Sequence, residues 1–356
     1  MKNNSTYRVL GVMSGTSLDG LDLAICDFSL VGEKWEFDIV DCKTVDFPKS
    51  LYESLSSATE NSGLELKELD NQLGVFIGQQ CHKITQGHSV DFIASHGHTV
   101  FHQPEKSITL QIGNGQIISG ICKLPVVYDF RSLDVALGGQ GAPLVPLVDQ
   151  LLFSDYDFCL NLGGIANISF DQAKERKAFD VVPCNMILNK LANKLNQPYD
   201  NEGKLAAEGK VIDALLNKWN ELEYYTTNGP KSLGYEYVSS HYFSDFEHYD
   251  INDLLATSVE HIVGQLKMCV QDTENFNTKM LVTGGGAKNK FLISKLNEAL
   301  PKVDVVIPDS MLIDFKEAVA FAFLGVKRVR GEVNVLSSVT GASRDSCSGV
   351  VVGFLG

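Results

Sequence analysis

A short turn near the amino terminus combines small residues, hydroxyls and carboxylates. It reads Ser14-Gly15-Thr16-Ser17-x-Asp19-Gly20-x-Asp22 and joins two apolar segments. Glycine lets backbone N–H groups approach an anion closely, and the hydroxyls can complete the shell around it. The two carboxylates offer the oxygen ligands that a Mg²⁺ ion bridging phosphates prefers. The turn therefore predicts a phosphate site with Asp19 as a magnesium ligand, and an ordinary hairpin turn is the alternative.

Two further glycine-rich turns lie in the second half of the chain. Asn161-Leu162-Gly163-Gly164-Ile165-Ala166-Asn167 permits the same close backbone approach and predicts a second phosphate turn. Thr283-Gly284-Gly285-Gly286-Ala287-Lys288-Asn289 ends an apolar strand and precedes a predicted helix near Phe291, so backbone donors would lie at a helix N-terminus. This third turn lacks the G-x-x-x-x-G-K-[ST] spacing, and no G-x-G-x-x-G opens a helix. We expect it to hold a nucleotide without a Walker or Rossmann loop.

Three histidines and one arginine are further candidates for chemistry. His96, His98 and His102 suggest a metal site, and we place positions 96 and 98 on one strand face. No Cys or carboxylate joins them at ligand spacing, so hydrogen bonding or lining of a cleft is favoured. Arg131 could bind a carboxylate or phosphate bidentately, or pair with Asp134 at a joint between domains.

Strands and helices must position these residues, and they recur twice in the same order. In the first half they are predicted at 8–12, 21–25, 36–40, 51–86 (helical) and 90–94. In the second half they are predicted at 158–162, 166–170, 177–182, 185–194 (helical), 280–282 and 303–307. The repetition predicts a duplicated α/β architecture, each half a mixed sheet flanked by helices, with a cleft between two lobes.

The Gly- and Pro-rich stretch 129–146 predicts the joint between the lobes. We place an N-terminal lobe at 1–130 and a C-terminal lobe at 131–356, with the last residues able to pack back on the first lobe. The polar, aromatic segment 224–250 shows little periodicity and is predicted to be a loop-rich insertion.

Composition narrows the class of protein. The chain has 356 residues, 44% apolar and 21% charged, which suits two globular domains. Lys+Arg 30 against Asp+Glu 44 gives a net charge of -14, which argues against a nucleic-acid surface. Neither a signal-peptide pattern nor a spanning apolar run is evident, so we expect a cytoplasmic protein without a membrane partner. Eight scattered cysteines without C-x-x-C indicate mostly buried thiols and no disulfide framework.

At the level of motifs the chain resembles the anhydro-N-acetylmuramic acid kinases over nearly its whole length. The order of its three turns is similar to that of the superfamily of actin, hexokinase-like sugar kinases and heat-shock chaperones. The motifs that carry the resemblance are 11–20 (GVMSGTSxDG), 95–100 (SHGxTV), 109–113 (TLQIG), 129–131 (DFR), 138–146 (GGQGAPLVP), 161–167 (NLGGIAN) and 316–322 (KEAxAFA).

The resemblance implies a duplicated actin-like ATPase fold of the ribonuclease H type and an ATP- and Mg²⁺-dependent sugar phosphotransferase. Such enzymes open 1,6-anhydro-N-acetylmuramic acid with water and transfer the γ-phosphoryl group of ATP to O6, in cell-wall sugar recycling. The partners would be the sugar and ATP, with a homodimer as an open alternative to a monomer. The resemblance assigns the catalytic carboxylate to Asp180 and sugar contacts to Thr99, Arg131, Asn185 and Glu317.

The motif around Asp180 departs from the family pattern Phe-Asp-Thr-Gly-Pro-Gly-Asn. It reads Phe179-Asp180-Val181-Val182-Pro183-Cys184-Asn185, so side chains stand where the family leaves the backbone bare. Asp180 could instead cap the helix after Pro183, and Glu317 could serve the dipole of an Ala-rich helix predicted at 317–326. A kinase for another sugar, or a nucleotide-binding protein without phosphoryl transfer, therefore stays open.

Overall fold

The computed structural model describes residues 5–15, 17–227, 231–270 and 278–353. The chain forms two compact units, one of Met1–Leu152 with Phe315–Gly356 and one of Phe153–Asp314. The sequence analysis places the lobe boundary after residue 130, whereas the first unit continues to Leu152 and takes in residues 315–356.

The strands of the described residues all belong to three sheets. They are β1 (Thr6–Ser14), β2 (Leu21–Val31), β3 (Lys34–Val45), β4 (Phe92–Ser95), β5 (His98–Gln103), β6 (Ile108–Ile112), β7 (Val126–Tyr128), β8 (Phe158–Leu162), β9 (Ile165–Gln172), β10 (Glu175–Pro183), β11 (Thr278–Thr283), β12 (Val303–Val306) and β13 (Val350–Val352).

The helices separate and cover these strands. They are α1 (Lys49–Ser56), α2 (Gly63–Ile84), α3 (Gly115–Cys122), α4 (Ser132–Ala136), α5 (Val145–Leu152), α6 (Asn185–Asn193), α7 (Lys204–Glu208), α8 (Asp213–Asn220), α9 (Glu223–Thr226), α10 (Tyr235–Tyr242), α11 (Ile251–Val270), α12 (Lys290–Ala299), α13 (Ser310–Arg330) and α14 (Ser337–Thr340). Among the described residues no helix combines the length and apolarity needed to cross a bilayer.

The two large sheets have the same topology. In the first unit the order is β13-β7-β4-β1-β2-β3, and in the second it is β10-β9-β8-β11-β12. In each, the first three strands pair as antiparallel neighbours, and the first strand pairs in parallel with a fourth that pairs in parallel with a fifth. The shared order confirms the predicted duplication, the mixed sheets and the α/β class.

Each unit has its own apolar core. In the first, β1, β2 and β4 pack against α2 and α3 through residues such as Leu10, Leu73 and Ile118. In the second, β8, β9 and β10 pack against α6 and α11 through residues such as Leu160, Leu191 and Val259. The periodicity that predicted helices at 51–86 is confirmed by α1 and α2.

Three details of the sequence analysis are wrong. The segment 224–250 is not loop-rich, because its described residues form α9, α10 and a 3₁₀ turn whose aromatic side chains pack on α11. The Ala-rich helix begins at Ser310 rather than at residue 317, so Glu317 lies well inside α13 and outside the reach of its N-terminal dipole. His96 and His98 do not share a strand face, because Gly97 between them has φ +75° and separates β4 from β5.

The predicted joint contains the short helix α4, and its buried Asp134 organises it. Asp134 is 0% exposed and accepts hydrogen bonds from the Gly141 backbone N–H at 2.8 Å and from Thr340 Oγ1 at 2.8 Å. Both carboxylate oxygens are therefore used to hold residues of the first unit together.

Candidate active site

The first turn that the sequence predicts to bind phosphate is the connection of the β1–β2 hairpin. The Leu18 N–H donates to the Gly15 carbonyl at 3.2 Å, and Leu18 has φ +57°. Gly20 has φ +147°, and a Cβ there would lie 2.8 Å from Thr44 Cγ2, so the hairpin needs glycine at this position. Thr16 lies outside the described residues.

Hydroxyl and carboxylate groups of this hairpin differ in how firmly they are held. Ser14 is buried and its Oγ lies 3.2 Å from His98 Nδ1, whereas Ser17 and Asp19 are exposed. Asp22 Oδ1 accepts a hydrogen bond from Thr44 Oγ1 at 2.6 Å on the neighbouring strand β3. The hairpin thus offers one fixed hydroxyl and one exposed carboxylate beside backbone N–H groups.

Arg131 and His96 form a fixed pair in the first unit. Arg131 Nε donates to His96 Nε2 at 2.9 Å and Nη1 donates to the Gly141 carbonyl at 2.7 Å. Since Nε2 of His96 accepts, its Nδ1 carries the proton and donates to the Gly97 carbonyl at 3.0 Å. Burial, and then the Arg131 charge, hold the pKa of His96 well below its usual value, so this imidazole is neutral.

The charge of Arg131 is compensated by carboxylates rather than by one direct ion pair. Burial lowers the pKa of Arg131 to about 10, and the Glu317 and Asp134 charges oppose that shift. No ion pair joins Arg131 to Asp134 in the described part of the chain, where the oxygens of Asp134 are occupied as above. Arg131 Nη2 donates to no described residue, which leaves it available for an anionic ligand.

Two further predicted sugar contacts also lie in the first unit. Glu317 is accessible to solvent, and desolvation by surrounding protein raises the pKa of its carboxyl while Arg131 opposes the shift. Thr99 Oγ1 accepts from Gln111 Nε2 at 3.3 Å, and Gln111 also donates to Thr109 Oγ1 at 3.0 Å. The charge of Glu317 raises the pKa of Arg131, and the charge of Arg131 lowers the pKa of Glu317. This mutual effect is expected of two groups that belong to one site for a polar ligand.

The histidines go to separate partners. His102 Nδ1 lies 3.0 Å from Thr109 Oγ1, whereas His96 and His98 bind Arg131 and Ser14 as described. No group of three His, Cys, Asp or Glu side chains in the described ranges is arranged to hold a metal ion. Mg²⁺ bound mainly through substrate phosphates needs only one or two carboxylates, so the exposed Asp19 fits that ion.

The second predicted phosphate turn bonds to the N-terminus of α6. The Gly164 carbonyl accepts from the Cys184 and Met186 N–H groups at 2.9 and 3.0 Å, and the Gly163 carbonyl accepts from the Asn185 N–H at 3.1 Å. The carbonyls of Gly163 and Gly164 are therefore occupied by N–H groups at the start of α6. Gly164 is exposed, and a Cβ at this position would meet nothing within 4 Å, so its backbone has free space beside it.

The third turn packs directly against the second. Gly284 has φ +82°, and a Cβ there would lie 2.5 Å from Asn161 Oδ1. A Cβ on Gly286 would lie 2.7 Å from Leu162 Cβ, while Gly285 is exposed. Close packing therefore accounts for two of the three glycines, and the exposed backbone at Gly285 remains for a ligand.

Two asparagines of this region already have structural partners. Asn185 Nδ2 donates to the Leu162 carbonyl at 2.9 Å, and among the described residues its Oδ1 accepts only from the Cys184 thiol, at 3.8 Å. Asn289 is the N-cap of α12 and accepts from the Leu292 N–H at 3.0 Å. Its oxygen is thus engaged in starting the helix.

Asp180 belongs to a row of polar side chains on one sheet face. Asp180 on β10 pairs with Asn167 on β9, which pairs with Asn161 on β8, which in turn pairs with Thr283 on β11. Directly paired residues project their side chains to the same face. The row therefore brings the carboxylate, the second turn and the start of the third turn to one face of the second sheet.

The carboxyl of Asp180 is held by one oxygen only. Its Oδ2 accepts from the Leu233 N–H at 2.9 Å, and Oδ1 bonds to no described residue. Burial raises the pKa of Asp180, and the Leu233 hydrogen bond partly opposes this shift. The predicted alternative of a helix cap is wrong, because the N-cap of α6 is Cys184 and Asp180 bonds elsewhere.

The substituted motif residues are buried. Val181, Val182 and Cys184 are 2%, 0% and 0% exposed and belong to the core of the second unit. The expectation that they stand where a ligand would meet bare backbone stays a prediction. Burial raises the pKa of the Cys184 thiol to about 12, so it stays protonated and inert.

Sequence reasoning missed the residues that hold Asp180 from the side of the insertion. The Tyr224 hydroxyl donates to the Asp180 carbonyl at 2.6 Å, and the Asp180 N–H donates to the Lys231 carbonyl at 3.0 Å. These partners are more than forty residues away in sequence. The aromatic composition of the segment was the only available signal, and it does not indicate a partner.

A family model and curated relatives match this chain. The model described as "Anhydro-N-acetylmuramic acid kinase" matches residues 7–353. The anhydro-N-acetylmuramic acid kinase of Trichormus variabilis is 33% identical over 381 residues, covering 97% of this chain and 96% of that protein. The kinase of the same name from Francisella tularensis subsp. novicida is 34% identical over 369 residues, covering 95% and 97%. A solved structure of (R)-2-hydroxyglutaryl-CoA dehydratase component A from Acidaminococcus fermentans is 13% identical, with a TM-score of 0.44, over 89% of this chain and 96% of that one.

Proposed function

The chain belongs to the anhydro-N-acetylmuramic acid kinase family, and we propose that it phosphorylates 1,6-anhydro-N-acetylmuramic acid with ATP while water opens the anhydro ring. The product is N-acetylmuramic acid 6-phosphate. A kinase of this family uses ATP as phosphoryl donor, so the enzyme is a phosphotransferase with an alcohol acceptor.

The observation that supports the chemistry most directly is the carboxyl of Asp180. One oxygen is fixed by a backbone N–H, the other bonds to no residue in the described ranges, and the pKa of the group is raised by burial. A carboxylate with a raised pKa is a better proton acceptor at neutral pH. Asp180 therefore has the properties of a general base for a water molecule.

We assign one proton transfer to Asp180. Oδ1 takes a proton from water while the water oxygen bonds to C1 of the sugar and the C1–O6 bond breaks. The electron pair passes to O6, which bonds to the γ-phosphorus of ATP as the bond from that phosphorus to the ADP oxygen breaks. General-base assistance of this kind contributes about 10²–10⁴-fold in rate.

Backbone dipoles and hydroxyls of the turns would bind the ATP phosphates. We assign this role to Ser14, Gly15, Ser17, Gly20 and the exposed backbone at Gly164, with Thr16 as a further assignment outside the described residues. The remaining nucleotide assignments of the sequence analysis are Asp22, Gly163, Asn167, Gly284, Gly285, Gly286 and Asn289. Asp19 would hold Mg²⁺, which when bound would neutralise charge on the phosphates.

The sugar would meet a cation and hydrogen-bonding groups. Arg131 suits the lactyl carboxylate, because its Nη2 donates to none of the residues that the structure describes and its partner His96 is neutral. Glu317, Thr99 and the Oδ1 atom of Asn185 are the proposed partners of sugar hydroxyl and amide groups. These assignments each use an atom that lacks a strong hydrogen bond within the described protein.

A coupled ADP-release assay with a panel of sugars tests the function. ADP should form rapidly with 1,6-anhydro-N-acetylmuramic acid and slowly with N-acetylmuramic acid or glucose. Equal rates on all sugars, or none on any, would refute the proposal. A matched control omits the sugar and measures background ATP hydrolysis.

A further inference from the structure

Asp180 is held by three residues of the segment that follows α8. The Tyr224 hydroxyl bonds to its carbonyl oxygen at 2.6 Å, the Lys231 carbonyl accepts its N–H at 3.0 Å, and the Leu233 N–H bonds to Oδ2 at 2.9 Å. We call Tyr224, Lys231 and Leu233 the Asp180 clasp. The clasp bonds to the backbone N–H, the backbone carbonyl and the carboxylate of Asp180.

We propose that the Asp180 clasp positions the catalytic carboxylate, and that Tyr224 is a positioning residue for the reaction rather than only a part of the core. The inference rests on the proposed function, because it gives the clasp a role through the base of that reaction. It assigns a kinetic role to a segment that the motifs around Asp180 do not include.

The position of Asp180 in the sheet explains why a clasp is needed. Asp180 lies on β10, the outermost strand of its sheet, and the pairing with β9 shifts register between Asp180 and Val182. Such a bulge leaves local ladder groups unpaired and re-aims the neighbouring side chain. Backbone groups at an edge strand need partners from outside the sheet. The clasp supplies a partner for the backbone N–H and one for the carbonyl of Asp180, so it fixes this residue where the strand is irregular.

Tyr224 is held so that it donates under all working conditions. Burial, and then the charge of Asp180, raise the pKa of the Tyr224 phenol above its usual value. Lys231 Nζ donates to the Tyr224 carbonyl at 2.9 Å and lies 4.5 Å from the centroid of its ring. Backbone and ring of Tyr224 are therefore both fixed, and its hydroxyl has a defined direction.

The opposite side of the bulge is fixed by packing. Val181, Val182 and Cys184 are buried in the core, and burial of such side chains stabilises one position of the backbone. In this chain the catalytic motif is thus restrained by the core on one side and by the clasp on the other. Because Oδ2 accepts from the Leu233 N–H, the clasp also fixes the position of Oδ1, which bonds to no described residue.

Tyr224→Phe tests the hydroxyl, and Tyr225→Phe is the matched control. Both residues lie on α9, and both substitutions remove one hydroxyl and keep the ring. Tyr225 bonds to Tyr242 and His261 in the core and does not contact Asp180. In Tyr224→Phe we expect kcat to fall about tenfold with KM for sugar and ATP within about twofold, since small misplacement of a reacting group costs up to about 10²-fold. In Tyr225→Phe we expect a lower Tm with kcat unchanged.

Two results would overturn the inference. One is a kcat of Tyr224→Phe equal to that of the parent enzyme. The other is an equal loss of kcat in Tyr225→Phe, which would show that general loosening of the unit explains the effect. An inactive parent enzyme would instead refute the proposed function, so the two failures are distinct.

Leu233→Pro gives a second readout because proline removes the N–H that binds Oδ2. Loss of a hydrogen bond to the ionised carboxylate should raise the pKa of Asp180, so the acid limb of the kcat profile should move upward by about one pH unit. An unmoved limb in a folded variant contradicts the inference. If the variant does not fold, the comparison of Tyr224→Phe with Tyr225→Phe decides alone.

Discussion

Asp180→Asn removes the proposed base with little change of shape. Asn and Asp are nearly isosteric, and the amide oxygen of Asn can accept the Leu233 N–H that now binds Oδ2 at 2.9 Å. The amide nitrogen would then occupy the position of the free Oδ1. An amide cannot take a proton from water at neutral pH, so the substitution separates chemistry from structure.

The expected loss follows from the role of the lost oxygen. We expect kcat to fall by about 10²–10⁴-fold, the usual contribution of a positioned general base. Stability should not fall. The pKa of Asp180 is raised in the folded protein, so the protein loses stability as the pH rises through that pKa and the buried carboxyl ionises. A neutral Asn side chain avoids this loss.

The assay combines turnover, nucleotide binding and thermal unfolding. Sugar-dependent ADP release should be lost, while Tm and the affinity for an ATP analogue stay close to those of the parent. A parental rate in Asp180→Asn would refute the role of the base. A large drop in Tm would show that the carboxylate is structural.

Three other outcomes follow from the same structure. Activity should fall as pH decreases through the raised pKa of Asp180, above the ordinary carboxyl value of about 4, because only the ionised form accepts a proton; a limb at or below that value contradicts this. Gly284→Ala places a Cβ 2.5 Å from Asn161 Oδ1 at φ +82°, so nucleotide affinity measured by titration should drop, and unchanged affinity would contradict the role of this turn. Asp134→Ala removes the acceptor of the N–H of residue 141 and the nearer of the two acceptors of the Thr340 hydroxyl, so denaturant unfolding should show a loss of about 2–4 kcal/mol, whereas a loss under about 1 kcal/mol would contradict this role of Asp134.

The repeat of the fold could be predicted from sequence because it depends on local patterns. Apolar strands and the turns between them have short-range signals, and the hairpins at β1–β2 and β8–β9 follow from them. The same patterns occur in both halves, so they predict the same hairpin in each half. The glycines of the third turn were also recognisable from their position after β11.

Helix limits and the insertion could not be predicted in the same way. Asp309 caps α13, since its Oδ1 accepts from the Leu312 N–H at 2.8 Å, but the sequence-based prediction begins this helix only at the Ala-rich run. The aromatic residues of segment 224–250 pack on α11, so tertiary contacts rather than periodicity create those helices.

The surroundings of Asp180 show the same limit at the site. The motif indicates the carboxylate, but the burial of Val181 and Val182 depends on the bulge in β10. The bonds from Tyr224 and Leu233 depend on how a distant segment folds back to the sheet edge. Neither consequence can be obtained from spacing alone.

The proposed attack of water on C1 can be followed through the oxygen of that water. The enzyme would be incubated with ATP and 1,6-anhydro-N-acetylmuramic acid in water labelled with heavy oxygen, and the product examined by mass spectrometry. We expect a sugar 6-phosphate with one labelled oxygen at C1 and none in its phosphate. Label in free phosphate without a phosphorylated sugar, or a phosphorylated sugar that keeps its anhydro ring, would contradict it.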